Sequence, residues 1–474
     1  MQILYVTPAV APYHGSGDLA EISGALPAAL QGLGMKVTVV APFWKGVRPE
    51  QYGLARRIRK LTVPLGHGSA EVGFLEGKLR NADVSLLLLD HPESFQTDDG
   101  KGNEHRRYYL LARAALEAAR ELSLNVDLVH ANGWESGFVP LLLQDDAVPA
   151  LAGVKLIFTI PEVEHNQLFE PGILEDLQLG YRHFNPEGIE FHGRVNLLKA
   201  GVLHADRLIV WSERYARELQ TEEHGAGLHG LFRAQAGKLR GFLHGLDPAT
   251  WTPMNDHRLA ERYDGDSLTG KEACKRALQA ELGLPIRPQL PLFLMVGPLS
   301  PGRGADLLLR ALPSLLAQKL QLVLLGPTAP ELTGPLSDAV AANTQNLAYR
   351  PELDGDLLRQ ALAGADVLLA LPAQDPAGLL VMKALRYGTL PLCRRVGALA
   401  DLVIDADPTS GSGNGFCTGG SREDLERTVL RVLSAYGQRR LWLQLTRTAM
   451  RQTNNLELSA RRTLEVYQSA LDQA

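Results

Sequence analysis

The sequence predicts an α/β chain made of two doubly wound, Rossmann-like domains. Three observations carry that expectation. The chain has 474 residues, more than a single hydrophobic core ordinarily serves. A strand, glycine-rich loop, helix and strand follow one another from residue 3, and the same order restarts at residue 291. The strand candidates are short, wholly apolar runs, the pattern of strands covered on both faces.

In the first half, residues 3–6 read as a buried strand and 7–18 as a loop carrying Gly15 and Gly17. Residues 19–33 read as a helix, with Ile22, Ala25, Leu26, Ala29, Leu30 and Leu33 at helical spacing, ended by Gly34. Residues 36–41 are the next strand, which completes a parallel, right-handed βαβ unit. Further strands are expected at 84–89, 128–130, 155–160 and 207–210, with a helix over 108–122. In the second half the strand 292–296, the loop 297–304, the helix 305–316 and the strand 320–325 repeat the unit. Strands at 367–371, 390–393 and 415–417 follow. The boundary falls near 241–247, residues 265–270 read as a surface connection, and the tail reads as a last helix. This gives domains at 1–243 and 244–455, and a helix at 456–474 able to cross back to the first domain. Two such halves imply a cleft, each glycine loop facing it beyond the carboxyl ends of the strands.

Composition excludes several classes. Hydrophobic residues make up 45% and charged residues 21%, values of an ordinary globular protein. A net charge of -5 and a pI near 6.2 supply no basic field for nucleic acid. No apolar run approaches the roughly 20 residues of a membrane span, so no membrane partner is expected. The first ten residues lack a basic leader and read as a strand, not a signal peptide. Cys274, Cys393 and Cys417 lie far apart in sequence and form neither a disulfide framework nor a metal-finger spacing. They read as packing residues with nothing nearby to activate a thiolate. A reducing, cytoplasmic location is the expectation.

Six strings in order resemble one family. Residues 11–21, APYHGSGDLAE, resemble the A-P-x-x-K-T-G-G-L-A-D signature of bacterial glycogen and starch synthases. Residues 129–134, VHANGW, resemble V-H-A-H-D-W, and 198–207, LKAGVLHADR, resemble L-K-A-G-I-x-x-A-D-R. Residues 234–247, AQAGKLRGFLHGLD, are similar to R-A-G-K-L-x-G-I-L-N-G-I-D. Residues 384–391 match A-L-R-Y-G-T-x-P throughout, and 394–401, RRVGALAD, resemble R-R-T-G-G-L-A-D. The resemblance implies the GT-B fold and retaining transfer of glucose from ADP-glucose to the non-reducing end of an α-1,4-glucan. It therefore implies a sugar nucleotide and an α-glucan as partners, and neither metal nor organic cofactor.

It also marks site residues. Departure of a nucleotide diphosphate builds negative charge that a metal-free site must meet with cations and backbone N–H groups. Gly17, Arg303, Gly304 and Gly397 are the donor and phosphate candidates. Asp375 stands for the glutamate of E-P-C-G-L and is the catalytic or sugar-contact candidate, the other reading being a helix N-cap. His130, Trp134 and His244 are candidates for the acceptor side or cleft wall, although His130 also reads as a satisfied strand-end histidine. The departures fall mostly on polar positions. Gly15 replaces a lysine, Pro298 an arginine, Gly133 the aspartate of H-D-W, and Pro161 the histidine of T-I-H-N. Val396 replaces a threonine, and His165 is the nearest histidine in sequence to Pro161. Each lost charge-assisted hydrogen bond is worth about 1.5–3 kcal/mol. The two missing cations therefore remove about two to four decades of rate or affinity. An active glucosyltransferase with an altered site and a non-catalytic glucan-binding or regulatory relative both remain open. A different sugar-nucleotide enzyme on the same fold, such as an epimerase, is a further alternative.

Overall fold

The computed structural model describes every residue except 16, 81, 98–102, 165, 248, 453–454 and 473–474. The chain forms two units, Met1–His244 with Leu456–Ala474, and Gly245–Asn455.

The first unit carries, in chain order, β1 (Gln2–Val6), β2 (Lys36–Pro42), β3 (Ala55–Arg56), β4 (Leu61–Leu65), β5 (Gly68–Lys78), β6 (Ser85–Asp90) and β7 (Leu128–Asn132). There follow β8 (Lys155–Thr159), β9 (Leu168–Phe169), β10 (Glu190–Phe191), β11 (Arg194–Asn196), β12 (Arg207–Val210) and β13 (Leu239–Gly241). The large sheet runs β13-β12-β8-β7-β1-β2-β6-β5-β3. It is parallel from β13 to β6, as the apolar runs require. β1 is buried because helices cover both its faces, so Ile3, Leu4, Tyr5 and Val6 have no solvent contact.

The second unit carries β14 (Leu292–Val296), β15 (Gln321–Leu325), β16 (Leu347–Arg350), β17 (Val367–Ala370), β18 (Leu390–Arg394) and β19 (Phe416–Thr418). Its sheet runs β16-β15-β14-β17-β18-β19 and is parallel throughout. The helix Ala305–Leu316 buries Leu308, Ala311, Leu312 and Leu315. That i, i+3, i+4, i+7 stripe faces the core, and each buried leucine contributes about 1.5–3 kcal/mol.

Both sheets reverse strand order at one point. In the first unit the reversal lies between β1 and β7, in the second between β14 and β17. Crevices for ligands open beyond the carboxyl ends at such points. Both glycine loops of the sequence start there.

Several expectations need correction. The first sheet is not wholly parallel: β4 and β5 form an antiparallel hairpin, and β5 pairs antiparallel with β6. The segment 61–65 alternates buried Leu61 and Val63 with exposed Thr62 and Pro64, a half-covered pattern distinct from the buried runs. Residues 265–270 are not simply a surface connection, because the helix Thr269–Glu281 begins inside them and buries Gly270 and Lys271. A Cβ at Gly270 would lie 2.5 Å from the Arg262 carbonyl oxygen. The last helix, Leu456–Leu471, packs on the first unit against the helix Asp18–Gly32 and on β8 and β12.

Candidate functional site

In the second unit the loop after β14 ends in a 3₁₀ turn, Pro301–Arg303, and then Gly304 at φ 79°. Gly304 is required twice over. Its left-handed backbone suits glycine, and a Cβ there would lie 2.3 Å from the Leu371 carbonyl oxygen. The close approach sets the loop against the segment after β17, where the Ala373 amide donates to the Gly302 carbonyl at 2.9 Å. Arg303 is exposed at this seam. The helix Ala305–Leu316 starts beside it with no side-chain cap; its Ala305 amide donates to the Ser300 carbonyl at 3.1 Å, so the Asp306 and Leu307 amides are the first-turn groups that can meet an anion.

Asp375 lies in the same place. Its carboxylate accepts the Gly378 amide at 2.7 Å, and its carbonyl accepts the Ala398 amide at 2.8 Å. Burial raises its carboxyl pKa, while the amides of Gly378 and Ala377 and the Arg303 charge pull the other way. The N-cap of the following helix, Leu379–Arg386, is Gly378 rather than Asp375. Asp375 shapes the turn that precedes it. Gly397, at φ 46°, closes the cluster, since a Cβ there would lie 2.1 Å from the Asp375 carbonyl oxygen. Arg303, Gly304, Asp375 and Gly397 are therefore brought together around β14, β17 and β18. The arrangement offers a guanidinium, an uncapped helix start and a carboxylate: groups suited to an anion carrying a hydroxylated substituent.

In the first unit the carboxyl ends of β1, β7 and β8 are tied together. Asn132 donates to the Val6 carbonyl at 3.0 Å, and the Gly133 amide donates to the Thr159 carbonyl at 3.0 Å. Gly17, at φ 97°, precedes the helix Asp18–Gly32, and a Cβ there would meet nothing within 4 Å. Gly15 is tighter: at φ 89°, its Cβ would lie 2.9 Å from that of Ala9. The loop conformation itself thus disfavours a lysine at 15. His14 leans on Trp44 with ring centroids 5.0 Å apart, and burial lowers its pKa, favouring the neutral form.

Trp134 is half-buried, its ring edge-on to Tyr108 at 5.2 Å. His130 points into the core. Its Nδ1 pairs with the Tyr467 hydroxyl at 2.7 Å and its Nε2 with the Thr159 hydroxyl at 2.6 Å. Burial lowers its pKa to about 3, and neither ring nitrogen is left for a ligand. His244 is also buried, edge-on to Trp211 at 5.9 Å, with its pKa lowered by burial to about 3. Its Nδ1 has no partner among the described residues. Pro161 occupies the carboxyl end of β8, half-buried, just after Ile160. His165 lies outside the described residues.

Two features escaped the sequence reading. Glu135 folds back over Gly133, so that a Cβ at 133 would lie 2.5 Å from its Oε2. Its carboxylate fills the space a side chain at 133 would take. Burial pushes its pKa up to about 7, with the negative charge of Glu162 adding to the rise. The signal was a glutamate two residues after a glycine that stands for an aspartate. The second correction concerns the cysteines. Cys393 and Cys417, distant in sequence, are register partners on β18 and β19. Parallel pairing, not chain separation, sets their distance. Among the described residues, no group of three or more His, Cys, Asp or Glu side chains is placed to hold a metal ion. Nor is any helix there long and apolar enough to cross a membrane.

Comparison with known proteins matches both units. A family model described as the starch synthase catalytic domain covers residues 2–234, and one described as glycosyl transferases group 1 covers 283–447. A glycogen synthase of Anaeromyxobacter sp. (strain Fw109-5) is 38% identical over 99% of this chain and 98% of its own. A glycogen synthase of Variovorax paradoxus (strain S110) is 34% identical over 100% of both. Among solved structures, the catalytic domain of starch synthase IV from Arabidopsis thaliana, bound to ADP and acarbose, superposes with a TM-score of 0.93 at 24% identity, covering 99% of each chain. The sucrose-phosphate synthase of Thermosynechococcus elongatus superposes at 0.63 with 16% identity, covering 100% of each chain. With full-length identity to such relatives and matching models in both units, the chain belongs to the glycogen and starch synthase family of glycosyltransferases and has the GT-B fold.

Proposed function

We propose that this chain is a glycosyltransferase of α-glucan metabolism, taking a sugar nucleotide at the second unit and an α-glucan at the first. Family membership supports the reaction class. The observation that carries the donor side is the meeting of exposed Arg303, the uncapped helix Ala305–Leu316 and Asp375 at the β14/β17 reversal. There Arg303 and the helix start hold the diphosphate, and Asp375 and Gly397 border the sugar. On the acceptor side, Trp134 offers an apolar ring face and Glu135 a carboxylate for sugar hydroxyls.

Transfer is slow by the standards of the family. Gly15 and Pro298 supply no cation to the departing diphosphate, and Pro161 supplies no imidazole to the sugar. Loss of the two cations corresponds to about two to four decades in rate. ADP-glucose and UDP-glucose, each labelled in the glucose, are incubated with purified protein and glycogen. The expected result is incorporation from ADP-glucose at a rate about 10²–10⁴ below an ordinary synthase. Arg303→Ala weakens donor binding by about tenfold or more. Incorporation at an ordinary rate would overturn the slow-transfer reading.

A second reading, a non-catalytic glucan-binding or regulatory protein, is favoured by the concentration of replacements at Gly15, Gly133, Pro161, Pro298 and Val396. Calorimetric titration separates the two. Retention on glycogen with no binding of any sugar nucleotide would replace the first reading with the second.

A further inference from the structure

The cysteine pair of the second unit lies outside the chemistry proposed above. Register partners on adjacent parallel strands stand about 4.8 Å apart and direct their side chains to the same face of the sheet. That spacing lies within the window of about 4.4–6.8 Å that disulfides span between Cα atoms. Cys393 and Cys417 are such partners, and both are free thiols. Each sulfur is the largest influence on the other's pKa, raising that of Cys393 and lowering that of Cys417.

The two sulfurs are unequal. Cys393 is buried, and its thiol is held well above the ordinary value by the Cys417 sulfur and by burial. Cys417 is half-exposed. Its thiol is lowered to about 7, first by the Cys393 thiol and then by the Arg395 guanidinium, against burial and the charge of Asp405. The Cys417 amide is anchored on Asp405 at 2.9 Å. Cys274, in contrast, is buried with a raised pKa and neither of the other cysteines beside it in the fold. One accessible thiolate next to one protonated, sheltered thiol is the arrangement of an attacking and a resolving cysteine.

We propose that Cys393 and Cys417 are a reversible thiol–disulfide modification site, with Cys417 attacking and Cys393 resolving. The oxidant is a hydroperoxide, hydrogen peroxide in the simplest case. The Cys417 thiolate attacks one peroxide oxygen. The O–O bond breaks, hydroxide leaves and takes a proton to become water, and Cys417 is left as the sulfenic acid. The Cys393 sulfur then attacks the Cys417 sulfur, the S–OH bond breaks, and the hydroxyl leaves with the Cys393 proton as a second water. Two thiols and one peroxide thus give one disulfide and two waters. The cross-link ties β18 to β19 one turn before Gly397, which rests on the Asp375 carbonyl. In-register parallel strands hold their Cβ atoms farther apart than a relaxed disulfide prefers, so the bond is a readily reduced one.

The test uses the full chain, reduced and desalted. Brief iodoacetamide treatment at pH 7 is expected to label Cys417 at least about tenfold faster than Cys393 or Cys274. Equimolar hydrogen peroxide is expected to remove two hydrogens from the intact monomer, and peptide mapping to find Cys393 joined to Cys417 with Cys274 still alkylatable. Dithiothreitol restores both thiols. In Cys393→Ser the reaction stops at a Cys417 sulfenic acid that dimedone traps, and in Cys417→Ser position 393 stays reduced. Three outcomes overturn the proposal: both thiols still free after oxidant, Cys417 driven to sulfinic acid with Cys393 free, or a link found only between chains. The labelling and mapping on unsubstituted protein decide the matter even where a serine variant folds poorly.

Discussion

Glu135 places a carboxylate where burial and a neighbouring negative charge both oppose ionisation. Its pKa rises from 4.5 to about 7. A group whose pKa is raised on folding favours the folded state while protonated. The contribution is fully present below the unfolded value of 4.5 and is lost as pH rises through about 7. Melting temperature should therefore fall between pH 5 and pH 8 in the natural protein. In Glu135→Gln that part of the fall should disappear, and an unchanged profile would show that Glu135 is fully solvated. The glycines make a second contrast. Gly304→Ala meets both a left-handed backbone and an oxygen 2.3 Å away, whereas Gly17→Ala meets only the backbone cost. Denaturant titration should show a loss of about 1–3 kcal/mol for Gly17→Ala, whose φ of 97° and ψ of -178° lie in a region nearly reserved for glycine, and a larger one for Gly304→Ala, where the clash adds to the backbone cost. Equal losses would mean that the loop moves away from Leu371. The same geometry bears on engineering, since Gly15→Lys restores a charge at the expense of about 1–3 kcal/mol of strain.

At the scale of elements, the helix Leu456–Leu471 supplies Ala460, Thr463, Tyr467 and Ala470 to the first unit's core, at helical spacing. Arg207 binds it through the Ser469 hydroxyl at 3.0 Å and carbonyl at 2.6 Å. Tyr467→Phe keeps the packing and deletes the hydroxyl that meets His130, leaving a buried ring nitrogen unpaired. Chemical denaturation should register a loss of about 1–3 kcal/mol. No loss would mean that water replaces the hydroxyl. Parallel strands and the helices between them were legible because buried runs and 3.6-residue stripes are local patterns. β1, β2, β14 and β15 fall within a residue or so of their expected positions. The hairpin β4–β5 went unread although 61–65 alternates, because attention to wholly apolar runs passes over strands with one wet face. The partnership of Cys393 with Cys417 was illegible for a deeper reason: strand order is a tertiary fact, and no spacing along the chain announces it. Gly304 and Gly397 were legible as loop glycines. Their contacts with Leu371 and Asp375 were not, since those come from loops of different strands.

For the whole molecule, each unit has its own sheet and core. Calorimetry should therefore resolve two transitions rather than one. Under the proposed function, ADP-glucose at about 100 times its dissociation constant should raise the stability of one of them by about 2.7 kcal/mol. A shift of neither would count against donor binding. The order of the chain has a further effect on how the molecule comes into being. The first unit leaves off at His244 and is completed only by the helix that starts at Leu456. On a ribosome, everything from Gly245 to Asn455 is made in between, a delay of roughly 10–40 s at common elongation rates. Throughout that interval His130 and the faces of β8 and β12 wait uncovered for Tyr467 and its helix, and the later-made unit has all its residues before they are covered. The half synthesised first is thus the half that matures last, and a nascent polypeptide halted short of its final helix would present a chaperone with that exposed sheet.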